Sequence, residues 1–123
     1  MPAPRTRPQP VTTTVTTWKN WSETAEVHQD DCRQVVPTLG KFHLVFADPP
    51  FNIGQDYDGY EDRMVPYQYR LFTQEWMKVC WAALVENGVM VCHGNDMLVE
   101  LYLDLARELG MRRIRCIIGL GNV

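Results

Sequence analysis

Leu44-Val45-Phe46-Ala47-Asp48-Pro49-Pro50-Phe51-Asn52-Ile53-Gly54 begins as an apolar run of β-formers and ends in a polar turn stiffened by two prolines. A short apolar run of this kind predicts a strand buried on both faces, as in a parallel sheet. In open α/β sheets, ligands bind just outside the carboxyl ends of the strands. The residues that follow Ala47 therefore stand where a site is expected.

Their chemistry fits that place. Pro49 and Pro50 fix φ and remove two N–H donors, and Pro50 pushes Pro49 towards an extended conformation. The carbonyls of this turn are thus not consumed by a local helix. Asp48, when ionised, only accepts hydrogen bonds. A side-chain acceptor beside a main-chain acceptor suits an amino group with two hydrogens, and Phe51 offers a flat apolar face for a planar ring. Proline pairs alone are most often simple turns. A buried strand before this one and Asn52-Ile53-Gly54 after it favour a pocket for an exocyclic amine on an aromatic base.

Asp48-Pro49-Pro50-Phe51 resembles the Asp-Pro-Pro-(Tyr/Phe) motif of the DNA amino-methyltransferases, which methylate adenine N6 or cytosine N4 with S-adenosylmethionine. Asn52-Ile53-Gly54 and the aromatic-acidic stretch around Tyr60 and Asp62 match as well, and the resemblance runs from about Val27 to Ile118. It implies a catalytic group of Asp48, Pro49, Pro50 and Phe51. Asp48 and the Pro49 carbonyl would hold the target amine, and Phe51 would stack on a base flipped out of the duplex. Asp31-Cys32 matches the end of a Gly-Asp-Cys element of the family, which implies that Asp31, with Asp48, lies at the cofactor; helix capping alone would also account for Asp31. The implied fold is a partial Rossmann-like S-adenosylmethionine-dependent methyltransferase domain, α/β with a mostly parallel sheet. The implied partner is DNA, methylated as in restriction–modification, with neither metal nor covalent nucleophile. Asp rather than Ser before Pro-Pro favours adenine over cytosine.

Composition bounds this reading. The chain has 123 residues, 46% of them hydrophobic, enough for one domain and one core. Residues 1–17 are rich in Pro and Thr and are expected to form a disordered tail, with the methylase part over residues 18–123. No apolar run is long enough to span a membrane and the first residues lack a signal-peptide core, so a cytoplasmic location is expected. Cys32, Cys80, Cys92 and Cys116 have no C-x-x-C spacing and lie in or beside apolar segments, which predicts buried, reduced thiols. The net charge of -3 is awkward for a DNA enzyme, because phosphate contacts need Lys and Arg. Basic residues cluster only at Arg5 and Arg7 and at Arg112, Arg113 and Arg115.

The order of elements reads as strand, helix, strand, helix, strand. Glu26-Val27-His28-Gln29 is a short strand, and Asp31 caps a helix that ends near Leu39 with Gly40 as its stop. Lys41 to Ala47 is the motif strand, with His43 packed inside it. Asp48 to about Val65 is expected to be a loop; Asp56 to Asp62 lacks the full spacing of a calcium loop and reads as a solvated, mobile acidic loop, which the family resemblance implies would flank the pocket and order when DNA binds. Pro66 opens a helix to about Val85, with Phe72, Trp76, Val79, Cys80 and Ala83 on one buried face and Asn87-Gly88 as its end. Val89 to Cys92 is a second strand, which brings His93-Gly94-Asn95 beside the motif; His93 lines the pocket without serving as a base. Asn95 caps a helix striped with Leu98, Leu101, Tyr102, Leu105 and Leu109 and stopped by Gly110. Arg112 to Ile118 is a third strand with Ile114, Cys116 and Ile118 on one face.

No glycine-rich turn precedes Asp48, so the pattern favours the permuted DNA enzymes, in which the catalytic half comes before the cofactor half. Gly119-Leu120-Gly121 is no substitute, and Gly119 stands where the family usually has tryptophan. The expectation is a truncated chain, with the cofactor half and the DNA-reading region lying downstream. Three outcomes stay open: an active methylase, an inactive remnant or half that needs a second chain to complete its domain, or an unrelated α/β binding domain with a fortuitous motif.

Overall fold

A computed structural model describes residues 14–20, 23–112 and 115–119. The first two strands, β1 (Thr14–Asn20) and β2 (Glu23–Gln29), pair antiparallel, from Thr14 opposite Gln29 to Asn20 opposite Glu23. The expected tail therefore ends earlier than residue 17. Thr14-Val15-Thr16-Thr17 is rich in β-branched residues that favour strands, and Glu23–Gln29 supplies the ladder partner. Trp18 lies in β1, whereas Trp21 lies outside the described residues.

Helix α1 (Cys32–Val35) starts at Asp31, whose side chain accepts the Arg33 N–H. Pro37 then shifts the chain into a 3-10 turn over Val36–Thr38, and Gly40 reverses it at φ 91°. Strand β3 (Phe42–Ala47) follows. The next segment contains a tiny hairpin of β4 (Asp56–Tyr57) and β5 (Tyr60–Glu61). Helix α2 (Pro66–Ala82) crosses back to β6 (Leu84–Cys92), which pairs parallel with β3. Helix α3 (Asp96–Glu108) is the last regular element among the described residues, with Gly110 at φ 79° as its stop.

The core lies between the two long helices and one face of the β3–β6 pair. Tyr69, Trp76, Met77 and Cys80 of α2 meet Leu98, Tyr102 and Leu105 of α3, and Val45, Ala47, Met90 and Cys92 back onto them from the sheet. Leu105 is 0% exposed. The opposite sheet face is bare: Leu44 is 59% and Phe46 66% exposed, and Val89 and Val91, their register partners, are exposed with them. The motif strand is thus covered on one face only, which corrects the expectation of burial on both. Alternation along a strand sends successive side chains to opposite faces, and both helices pack on the Val45–Ala47 side.

Other expectations are corrected too. Asn87-Gly88 does not end α2, which stops at its Ala83 cap; it sits inside β6, where the register slips between Phe42 and Leu44 and Asn87 takes φ 65°. His43 is exposed at that irregular start of β3 rather than packed. Cys80 is buried and Cys92 half-buried, but Cys32 and Cys116 are exposed, because α1 buries no side chain and 115–119 is unpaired. The expected strand over 112–118 is absent at its described residues; Ile117 and Ile118 are exposed, and no described residue pairs with them in a ladder. Arg113 and Ile114 lie outside the described residues. The described sheets comprise one parallel pair and two antiparallel pairs, so the architecture is mixed α/β with a small parallel sheet rather than a mostly parallel one.

Candidate active site

Parallel pairing decides what meets at the carboxyl end of the sheet. Ala47 lies opposite Cys92, and the His93 N–H donates to the Ala47 carbonyl at 2.8 Å, which carries the ladder one step further. Asp48 and His93 therefore leave the two strands side by side. Their side chains join: His93 Nδ1 lies 2.8 Å from Asp48 Oδ1. The Phe51 ring meets the His93 ring edge-on, 5.4 Å between centroids at 60°. Asp48, Pro49, Phe51 and His93, with Ile53, Gln55 and Tyr57, line an open cleft of about 460 Å³.

The proline turn is held from α2. Tyr69, buried in the core, donates its hydroxyl to the Pro50 carbonyl at 2.6 Å. Burial pushes the Tyr69 phenol up to about 12, so it remains a donor at neutral pH. The Pro50 carbonyl is thus engaged in structure. No described group bonds the Pro49 carbonyl, and Pro49 lines the cleft.

The segment after the motif is ordered by a single carboxylate. Asp62 is 2% exposed. Its oxygens accept the backbone N–H groups of Asn52 at 2.9 Å and of Ile53 and Gln55 at 3.0 Å, while its carbonyl accepts that of Gly54 at 2.8 Å. Four consecutive donors converge on one residue. The turn needs left-handed backbone at Asn52, φ 59°, and Gly54, φ 78°. Asn52 locks it further by accepting the Met64 N–H and donating to the Met64 carbonyl. Asp62, expected to belong to a solvated, mobile acidic loop, instead anchors a built turn. Its acid is consumed in satisfying part-buried backbone donors of the turn.

Asp31 stands apart from this group. It caps α1 and is forked by Arg33, whose guanidinium holds the Asp31 carboxyl below the usual carboxylate range. Arg33 continues to Glu75 of α2 and lies over the Phe72 ring at 5.1 Å. Asp31 lines neither the Asp48 cleft nor the second cleft, of about 370 Å³, on the far side of Phe51 between the amino-terminal ends of α2 and α3.

A family model described as "DNA methylase", of the N6/N4 type, matches residues 42–118, more than half of the chain and the whole of this cleft. This chain belongs to that DNA methylase family. A 69-residue stretch is 32% identical to the type II methyltransferase M.HpaI of Haemophilus parainfluenzae, covering 55% of this chain and 22% of that protein. The matched stretch is thus about a fifth of the curated relative's length. No solved structure matches the chain. DNA is the substrate of the methylase family, and its members generally use S-adenosylmethionine. No helix among the described residues is long and apolar enough to cross a membrane.

Two features of this candidate site are not legible as functional in the sequence. Only strand order places His93 at the pocket in the sequence; its bond to Asp48 depends on a register that no local pattern states. Asp62 carried a signal, an acid following an aromatic-rich turn, but acidic side chains in such a stretch are usually solvated. Only the fold shows that this one is enclosed.

Proposed function

We propose that this chain carries the amine-binding part of a DNA amino-methyltransferase that methylates an exocyclic amine of a flipped base, adenine N6 in preference to cytosine N4, with S-adenosylmethionine as methyl donor. The observation that carries the reading is that Asp48, Pro49, whose carbonyl no described group bonds, and Phe51 line one open cleft. The amine of a paired, stacked base is out of reach, so the base must leave the duplex first. In the cleft, the Asp48 carboxylate and the Pro49 carbonyl accept the two N–H bonds, and Phe51 stacks on the ring. Holding both hydrogens fixes the direction of the nitrogen lone pair and stabilises the positive charge that grows on nitrogen as its bond to carbon forms. The proton then lost has open water beside it, since Asp48 is well exposed.

S-adenosylmethionine supplies the methyl group when bound. The described residues fit the base side of such a site and not a whole cofactor pocket: no glycine-rich turn ends a described strand, and Arg33 occupies Asp31. A second reading follows from the bare Leu44–Phe46–Val89–Val91 face, which favours a chain that acts only once further sequence, its own or a second chain's, completes the sheet.

The test is incubation of the folded chain with S-adenosylmethionine and unmethylated duplex DNA, followed by mass analysis of the nucleosides. N6-methyladenine is expected. N4-methylcytosine would keep the reaction class and overturn the base preference. Absence of both from a folded chain would overturn the single-chain reading in favour of the second.

A further inference from the structure

We propose that His93 is the positioning residue of the Asp48 carboxylate, an inference that rests on the amine-binding role of Asp48 above. Four observations converge on the ring. The His93 backbone is fixed at both ends: its N–H donates to the Ala47 carbonyl at 2.8 Å, and its carbonyl accepts the Tyr102 hydroxyl at 2.9 Å. Gly94 permits that second bond, since a Cβ there would lie 2.8 Å from the Tyr102 ring. With its backbone fixed, the imidazole reaches Asp48 Oδ1 through Nδ1 at 2.8 Å. The same ring touches the edge of Phe51.

One imidazole therefore contacts both the acceptor and the stacking surface of the proposed base site. Asp48 has two carboxylate oxygens, and its side chain is exposed in an open cleft, where an unpartnered carboxylate would sample several rotamers. An Nδ1–H donated to Oδ1 holds one rotamer and leaves Oδ2 for the amine. Exposed ion pairs contribute little to stability, so the pair is explained better by orientation than by folding. Misplacing a reacting group by about 1 Å costs up to roughly 100-fold in rate. The loss of a solvent-exposed restraint should cost less.

Two measurements on the full chain test this. The first, nitrogen-15 NMR of the imidazoles, needs no activity. Nδ1 of His93 should carry a hydrogen, and its signal should move in Asp48→Asn. An unprotonated Nδ1 that ignores Asp48→Asn would overturn the proposal even if the chain methylates DNA. The second is turnover. His93→Ala should lower kcat about tenfold, with KM for S-adenosylmethionine little changed, and His93→Asn, whose amide N–H can reach the same oxygen, should restore part of it. Full kcat in a folded His93→Ala would overturn the proposal. A wild-type chain that methylates nothing would count against the proposed function, while the NMR result would still decide whether His93 restrains Asp48.

Discussion

Asp62 shows how one side chain can carry a whole segment. Asn52, Ile53, Gly54 and Gln55 direct four successive N–H groups at it, and it is almost wholly enclosed. Replacing it with Ala removes the acceptor for three of those donors while the fourth keeps its bond to the backbone carbonyl. Each donor left buried without a partner costs about 1–3 kcal/mol, less where water enters. Asp62→Ala should therefore lose about 2–4 kcal/mol in urea unfolding. It should also release Phe51, which sits one residue before the turn. The buried thiols and phenols set an alkaline limit. Burial raises Cys80 and Cys92 from 9.0 to about 11 and Tyr69 from 10.0 to about 12. A group whose pKa is raised by folding contributes stability that is complete below its unfolded pKa and lost as pH climbs towards the folded value. The melting temperature should accordingly begin to fall near pH 9 and drop steeply through about 11 to 12.

At the scale of elements, the sequence announced what depends on local chemistry. Asn95 was readable as a cap, and it accepts the Leu98 N–H at 3.1 Å. Asn95→Ala should cost about 1 kcal/mol, seen as a lower melting temperature with the α3 stripe otherwise intact. Pro66 opening α2 and Gly110 closing α3 were legible for the same reason: each acts within its own turn. The motif strand was legible from its apolar run, and the meeting of Asp48, Pro49, Phe51 and His93 followed from parallel order. What could not be read was pairing over distance. The antiparallel partner of Glu23–Gln29 is a Thr-rich stretch that composition assigns to a tail. The Asn87-Gly88 irregularity looks like a helix end until the β3 register shows it to be a slip within a strand. The alternating pattern of Ile114, Cys116 and Ile118 records a capacity to pair; at the described Cys116 and Ile118 no described residue provides the partner.

The whole molecule is asymmetric across its parallel sheet. One face packs on α2 and α3; the other exposes Leu44, Phe46, Val89 and Val91 together. Apolar surface of this kind is favourable to cover and is a liability when uncovered. Phe46→Ser should leave urea stability nearly unchanged, because the side chain is 66% exposed. It should also reduce both dye binding by hydrophobic probes and self-association on size-exclusion chromatography. A large loss of stability instead would mean that this face is already covered. The one-sided core also explains why the site is held so firmly at its base: Tyr69 and Tyr102 reach from the packed side to the Pro50 and His93 carbonyls.

The proposed role of Asp48 is to bind the amine that receives the methyl group. It is tested most directly by the turnover of Asp48→Ala against wild type on unmethylated DNA, with circular dichroism confirming the fold of both. The exposed carboxylate contributes little to packing, so the variant should fold as wild type does while its rate falls by about 100-fold or more. Equal rates in the two folded proteins would contradict the account.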